Sequence, residues 1–413
     1  MTHDHRAAAP APPLTLPPGL WRRLARGTPD PATVRLLRTA RASRNLLLLR
    51  ALNDDPRGGP LRDRALAVLT AVRHRSPAVL DALITDPAAG TLLAGAVREG
   101  RPDTVAALAA AAGHRARLPF RLDVPVHDGA LHLPGLGHAA LAPDTSTARV
   151  ARGPHGTTVT ALGRRTTVPA ALTVTVPDTR HATAPGWTPL PHLTLPGPGP
   201  RLRIRLDTHA SLNGPGPPPP PEPARWRARL GAAWQHLAAR HPERADAVRG
   251  TVRAVVPLGP LAPGVPAGAP GRWLSASFSD AFGLVALAPL DDPAELAAAL
   301  VHETQHSLLY ALQDLTRLLH APPGARGHAP WSGRSRPPSA LLQGASAFLV
   351  TAAFWRTEAA LGDPAARAPY ERWRRTARLA AGELERGAWL TGNGHLLLHA
   401  LRDVLAEWEA APL

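Results

Sequence analysis

Residues 301–310 read VHETQHSLLY, and inside them His302-Glu303-Thr304-Gln305-His306 spells H-E-x-x-H. On a helix, residues four apart project from the same face, about one turn from each other. Two imidazoles so placed can share one metal ion, with nitrogens about 2.0–2.1 Å from it. Glu303 is adjacent in angle and reaches either a metal-bound water or a ligand that needs orienting. Hydrolysis, with Glu303 as the base, is the first chemistry this pattern suggests. The five residues do not decide between that and another reaction at the same ion.

The element that must present the pair has a clear start. In DDPAEL, Asp292 stands at the N-cap, Pro293 at the first helical position and Glu295 three residues past the cap. That is a capping-box pattern with Asp as the cap. Two histidines need a third ligand. Downstream, HSLLYALQDLTRLLHAP offers neither Gly nor His at the metzincin offsets. His320 and His328 are nearer but lie in loop-like sequence. Glu358 could serve as a gluzincin-style ligand, although a solvated helix-end carboxylate is the plainer expectation. Residues 338–355, PSALLQGASAFLVTAAFW, form the expected packing helix, with small residues that allow close approach. Gln343 is the polar side chain that stands out in its apolar run, and a buried Gln needs partners. It is a weak oxygen ligand, a holder of a metal-bound water, or half of an ordinary helix–helix hydrogen bond.

Composition narrows the classes. All 47 basic residues are Arg and the formal net charge is +16. The arginines are scattered, with no dense basic run and few aromatics between them, so nucleic-acid binding is not expected. An acidic peptide partner suits the charge as well. Zero cysteines exclude disulfides, Cys-ligated zinc and thiol catalysis. No window approaches 18 consecutive apolar residues, and the N-terminus has no signal-peptide core. These features predict a soluble, cytoplasmic chain with no membrane contact.

The expected fold is α+β and predominantly α-helical. Residues 1–115 read as a helical N-terminal region, with Leu at helical spacing in PATVRLLRTARASRNLLLLRAL. Residues 116–215 read as a β-rich middle, because TTVTALGRRTTVPAALTVTV and RLRIRL alternate apolar with polar. Residues 216–223 form a stiff Pro-rich linker. Residues 224–413 form a mainly helical metal-site domain. It opens with an amphipathic helix that places Trp226, Leu230, Trp234 and Leu237 on one face and continues through short strands in VRAVVPL and LSASFSDAFGLVALAPL.

LVHETQHSLLYAL, followed by APWSGRSRPPSALLQGASAFLVTAAFWR, resembles the actinobacterial H-E-x-x-H proteins encoded beside ribosomally made peptides. These are described as iron and 2-oxoglutarate-dependent peptide β-hydroxylases. The likeness extends to RLLRTARASRNLLLLRAL and FGLVALAPLDDPAELAAALVHE and is weakest in the Pro-rich middle. It implies that His302 and His306 ligate Fe(II), and that Glu303 is an acid of the site, orienting a ligand or water. The family's second helix reads Leu-His-Gly where this chain has Leu342-Gln343-Gly344, so Gln343 replaces the third histidine. Arg336, in RSRP, matches the family's arginine-proline segment. The resemblance assigns it the distal carboxylate of 2-oxoglutarate, which a guanidinium grips bidentately. Arg334 is its runner-up.

Three functions follow as expectations. The first is an Fe(II)/2-oxoglutarate oxygenase that β-hydroxylates a precursor peptide. The second is a zinc metallopeptidase using Glu303 as base, and the third is a peptide-binding relative that has lost full metal ligation. His395 and His399, also four apart but with no acid between them, read as ordinary helix residues after a turn at Thr391 and Gly392.

Overall fold

Proline opens many of the helices. Pro31, Pro60, Pro77, Pro87, Pro223, Pro242, Pro293 and Pro338 each occupy a first helical position. There the missing N–H costs no intrahelical bond and the fixed φ suits the first turn. Asp30, Asp86 and Asp292 cap three of these helices by accepting from backbone N–H groups of the first turn. The computed structural model describes residues 16–162, 173–179, 182–207, 222–259 and 275–413. Most of the expected Pro-rich linker, and residues 163–172 of the Thr/Val-rich stretch, lie outside the described residues.

The fold is α+β, with helices at both ends and sheets between. Helices α1 (Leu20–Arg26), α2 (Pro31–Asn53), α3 (Pro60–Arg75), α4 (Pro77–Ile84), α5 (Pro87–Glu99) and α6 (Val105–Arg115) come first. Strands β1 (Phe120–Pro125), β4 (Thr147–Gly153), β5 (Gly156–Leu162) and β6 (Thr173–Val176) form an antiparallel sheet in that order. Strands β2 (Ala130–Leu133), β3 (Gly137–Ala140) and β7 (Trp187–Pro189) form a second one.

Strands β8 (His192–Leu195) and β9 (Leu202–Leu206) turn away from these sheets. They join β10 (Ala254–Pro257), β12 (Leu284–Leu287) and β11 (Ser275–Ser277) in a five-stranded sheet ordered β11-β12-β10-β9-β8. Strand β10 runs parallel to both β9 and β12. A parallel pair needs a crossover. Helices α7 (Pro223–Arg240) and α8 (Pro242–Thr251) lie between β9 and β10 in the chain. This sheet therefore spans the boundary that the proline run suggests. The remaining elements are α9 (Pro293–Leu315), the hairpin β13 (Gly327–Ala329) and β14 (Arg334–Arg336), α10 (Pro338–Ala360), α11 (Arg367–Arg386) and α12 (Gly392–Ala410).

Two large apolar cores result. One joins the end of α2 and α3–α6 to the first two sheets. The other joins α1, Val34 and Leu37 of α2, the five-stranded sheet and α7–α12. Trp226, Leu230, Trp234 and Leu237 are all buried in it, as their spacing predicts. Arg205 of β9 ties the two cores together. It is buried, and it pairs with Asp86, the cap of α5, and with Asp207. Among the described residues, no single helix is long and apolar enough to cross a membrane.

Candidate metal centre

Helix α9 carries the motif. Its cap forms as the sequence predicts, with Asp292 Oδ1 accepting from Ala294 N at 2.7 Å and Glu295 N at 3.2 Å. Its neighbour α10 comes close because Gly344, Ala345, Ser346 and Ala347 follow one another along it. Gln305, inside the motif, fixes the rotation of α9. Its buried Nε2 donates to Ser346 Oγ (2.7 Å) on α10 and to the Leu24 carbonyl (2.9 Å) on α1.

That phase brings His302 and His306 together, with their Nε2 atoms 3.1 Å apart. Each outer nitrogen has a partner on α10. Thr351 Oγ1 lies 3.0 Å from His302 Nδ1, and Gln343 Oε1 lies 2.8 Å from His306 Nδ1. The Thr351 hydroxyl donates to the Ala347 carbonyl, so its oxygen is left to accept from His302. An amide oxygen only accepts. Both networks therefore hold the proton on Nδ1 and turn a lone pair out at each Nε2. Two lone pairs facing each other across 3.1 Å are repulsive unless a cation or a proton lies between them. Loss of solvent around the ring, with His306 beside it, holds His302 well below the usual imidazole range. The pair therefore suits a metal ion better than a proton.

Glu303 is 2% exposed, and its Oε2 has no hydrogen-bond partner among the described residues. A buried carboxylate oxygen without a partner is costly, and an ion or its water would satisfy it. On the outer side an aromatic shelf borders the pair. Phe348 lies 5.1 Å from the His302 ring, and Trp373 stacks on Phe348 at 4.7 Å. Trp331 lies 5.3 Å from Phe348 and against Gly344, where a Cβ would come within 2.6 Å of its ring.

The other candidate residues fall in different places. Gln343 stands at the outer nitrogen of His306, the position of an orienting partner and not of a third ligand. Arg334 is exposed and Arg336 half-buried, on the hairpin whose turn carries Trp331. No hydrogen bond or ion pair joins either of them to the histidine pair among the described residues. His328 lies on the same hairpin, exposed, and its backbone N–H donates to Glu383. His320 is exposed beside Trp389. His395 and His399 are exposed on α12, after the Thr391 cap.

Glu358 differs most from its plainer expectation. Helix α10 continues past Trp355 to Ala360, and His236 and Arg240 of α7 and His241 at the α7–α8 junction reach over its end, where Glu358 is 1% exposed. Its Oε1 accepts from His236 Nε2 (2.9 Å) and His241 Nε2 (2.5 Å), and its Oε2 pairs with Arg240 Nε at 2.8 Å. Burial alone would raise its pKa, but the His241 hydrogen bond and His236 bring the net shift below the ordinary carboxylate range. Burial pushes the His241 imidazole down to about 4.

Motif spacing does not single out Thr351, His236 or His241. Thr351 had a visible signal, since it is eight residues past Gln343 on one helix and so shares its face. His236 and His241 had none, because their partner lies 122 and 117 residues away. No family model and no curated protein matches the chain.

Proposed function

We propose that the protein is a peptide-modifying, non-haem Fe(II)/2-oxoglutarate-dependent oxygenase that β-hydroxylates a residue of a ribosomally synthesised peptide. The observation that carries the metal-centre part of this reading is the pair of Nε2 lone pairs facing each other, each imidazole fixed from behind by α10. The peptide-hydroxylase part rests on the resemblance of the sequence around the motif and along α10. Bound iron with 2-oxoglutarate supplies the O₂ activation that hydroxylation of an unactivated carbon requires.

The chain's own residues take these roles. His302 and His306 hold the ion, and Thr351 and Gln343 fix their tautomers and ring planes, as outer partners do in metal sites. Glu303 contributes a buried negative charge and an oxygen free to hold a water. Arg336, with Arg334 beside it, is assigned to the distal carboxylate of 2-oxoglutarate. Trp331, Phe348 and Trp373 exclude water on the outer side and offer flat apolar contact to a peptide side chain. With Gln343 in place of a third histidine, iron is expected to bind more weakly than at a three-histidine centre.

The test is anaerobic reconstitution with Fe(II), followed by O₂ and 2-oxoglutarate. Bound iron and succinate are expected, and succinate formation is lost in His302→Ala. With the precursor peptide, a product one oxygen atom heavier is expected. Iron-loaded protein that forms no succinate with its peptide would overturn the proposal. A second reading, a zinc metallopeptidase, is favoured by the unpartnered Oε2 of Glu303. It predicts retained zinc and peptide cleavage that is lost in Glu303→Ala.

A further inference from the structure

We propose that His236, His241 and Glu358 form a second binding site, separate from the H-E-x-x-H pair, for a divalent first-row transition ion. One ligand atom from each residue lies within 4.8 Å of the other two. Three separate places in the chain supply them: His236 from α7, His241 from the α7–α8 junction, and Glu358 from near the end of α10. Both Nε2 atoms approach one carboxylate oxygen, Oε1. Two imidazoles and a carboxylate suit Zn(II), Fe(II) or Co(II), whereas Ca(II) and Mg(II) prefer all-oxygen sets.

The geometry needs little change to admit an ion. Ligand bonds of about 2.0–2.2 Å in a tetrahedral arrangement set donor atoms about 3.3–3.5 Å apart. The His236 and His241 contacts to Oε1 are 2.9 and 2.5 Å. Opening each by under about 1 Å therefore makes room. The surroundings resemble an outer shell. Arg240 pairs with the carboxylate's other oxygen, Oε2, so Oε1 remains the coordinating atom. Phe354 lies flat on the His241 ring at 4.2 Å and fixes its plane. The His236 side chain is 21% exposed, which gives the site an entry path.

Ion binding moves each imidazole proton from Nε2 to Nδ1, and the N–H bonds to Glu358 are exchanged for metal bonds with no net loss of protons. His241 Nδ1 is buried with no hydrogen-bond partner, so no existing bond is broken there. The new N–H gains no acceptor among the described residues, which sets the affinity below that of a site with both outer nitrogens anchored. Thr351 and Glu358 are seven residues apart on α10, so the nearest points of the two sites on that helix are about 10 Å apart.

The test is Co(II) titration of the full chain, with bound metal counted after gel filtration and visible ligand-field bands recorded. In the His302→Ala, His306→Ala double variant, one Co(II) is expected to remain. Adding His236→Asn should weaken that binding at least tenfold and remove its bands. His236 is partly exposed, so this third change should leave the circular dichroism unchanged. In wild-type protein, His236→Asn alone should reduce the Co(II) count by one. No Co(II) in the double variant would overturn the proposal, as would binding that ignores His236→Asn. Neither readout uses catalytic activity, so this site and the proposed function can fail independently.

Discussion

The two histidine clusters share α10 and differ in almost every other respect. At His302 and His306, both outer nitrogens are anchored and both inner nitrogens face each other, but Gln343 meets the outer nitrogen of His306. At His236 and His241 a buried carboxylate completes the donor set, but one outer nitrogen has no partner. As the metal sites proposed above, the first cluster is oriented and short of a ligand, and the second has a three-residue donor set and is less well oriented. The difference shows how one pair of residue types serves two physical ends. The half-buried pair lies beside an aromatic cluster. A pair closed around a buried anion also holds three helices together.

That contrast predicts unequal stability costs. Glu358→Ala leaves Arg240 without its counter-charge and removes the acceptor shared by two imidazoles. Hydrogen bonds to a buried charge of this kind are worth about 1.5–3 kcal/mol each. His306→Ala, at the half-buried pair, is expected to cost about 1 kcal/mol. Urea unfolding of the metal-free variants measures both, and equal costs would erase the distinction.

A histidine in the other core sets the acid baseline against which both clusters must be judged. His114 of α6 is buried, its Nδ1 lies 3.0 Å from Thr157 Oγ1, and burial lowers its pKa to about 4. The unfolded chain therefore takes up this proton first. Stability from His114 is complete above about pH 6.5 and falls as the pH drops toward 4, by about 3 kcal/mol in all. His114→Asn should flatten that part of the stability–pH curve and leave metal uptake unchanged. An unaltered slope would refute this assignment.

Gly344→Ala sharpens the comparison from the side of the shelf. The added methyl meets the Trp331 ring, and overpacking of this kind costs about 1–3 kcal/mol. A shift in tryptophan fluorescence should accompany it, with Co(II) binding at the Glu358 cluster intact. The smallest stability change is expected for Thr351→Val, at about 1 kcal/mol or less. Its consequence lies in metal affinity at the motif pair, which should weaken about 10–100-fold. If affinity there is unchanged, Thr351 does not orient His302.

Much of the first cluster was legible in the chain because its signals are local. The Asp292 cap, the four-residue spacing and the small-residue run of α10 each act within one helix or along one face. The exact partner of Gln343 was less legible, because which nitrogen of His306 it meets depends on how far α10 slides along α9. Glu358 was least legible. Whether a carboxylate near a helix end is solvated or buried depends on what reaches over that end, and here it is side chains more than a hundred residues earlier.

The sequence by itself determined the helix that carries His302 and His306, its start and its phase, and an α+β chain rich in helix. Spacing and capping are local properties, so they survive without knowledge of the rest. The tertiary structure alone decided that β9 and β10 pair across the proline-rich stretch, that Gln343 and Thr351 fix the two imidazoles from behind, and that His236, His241 and Glu358 meet. Each of these is a contact between distant segments, set by how apolar faces pack, and no short window of sequence contains both partners.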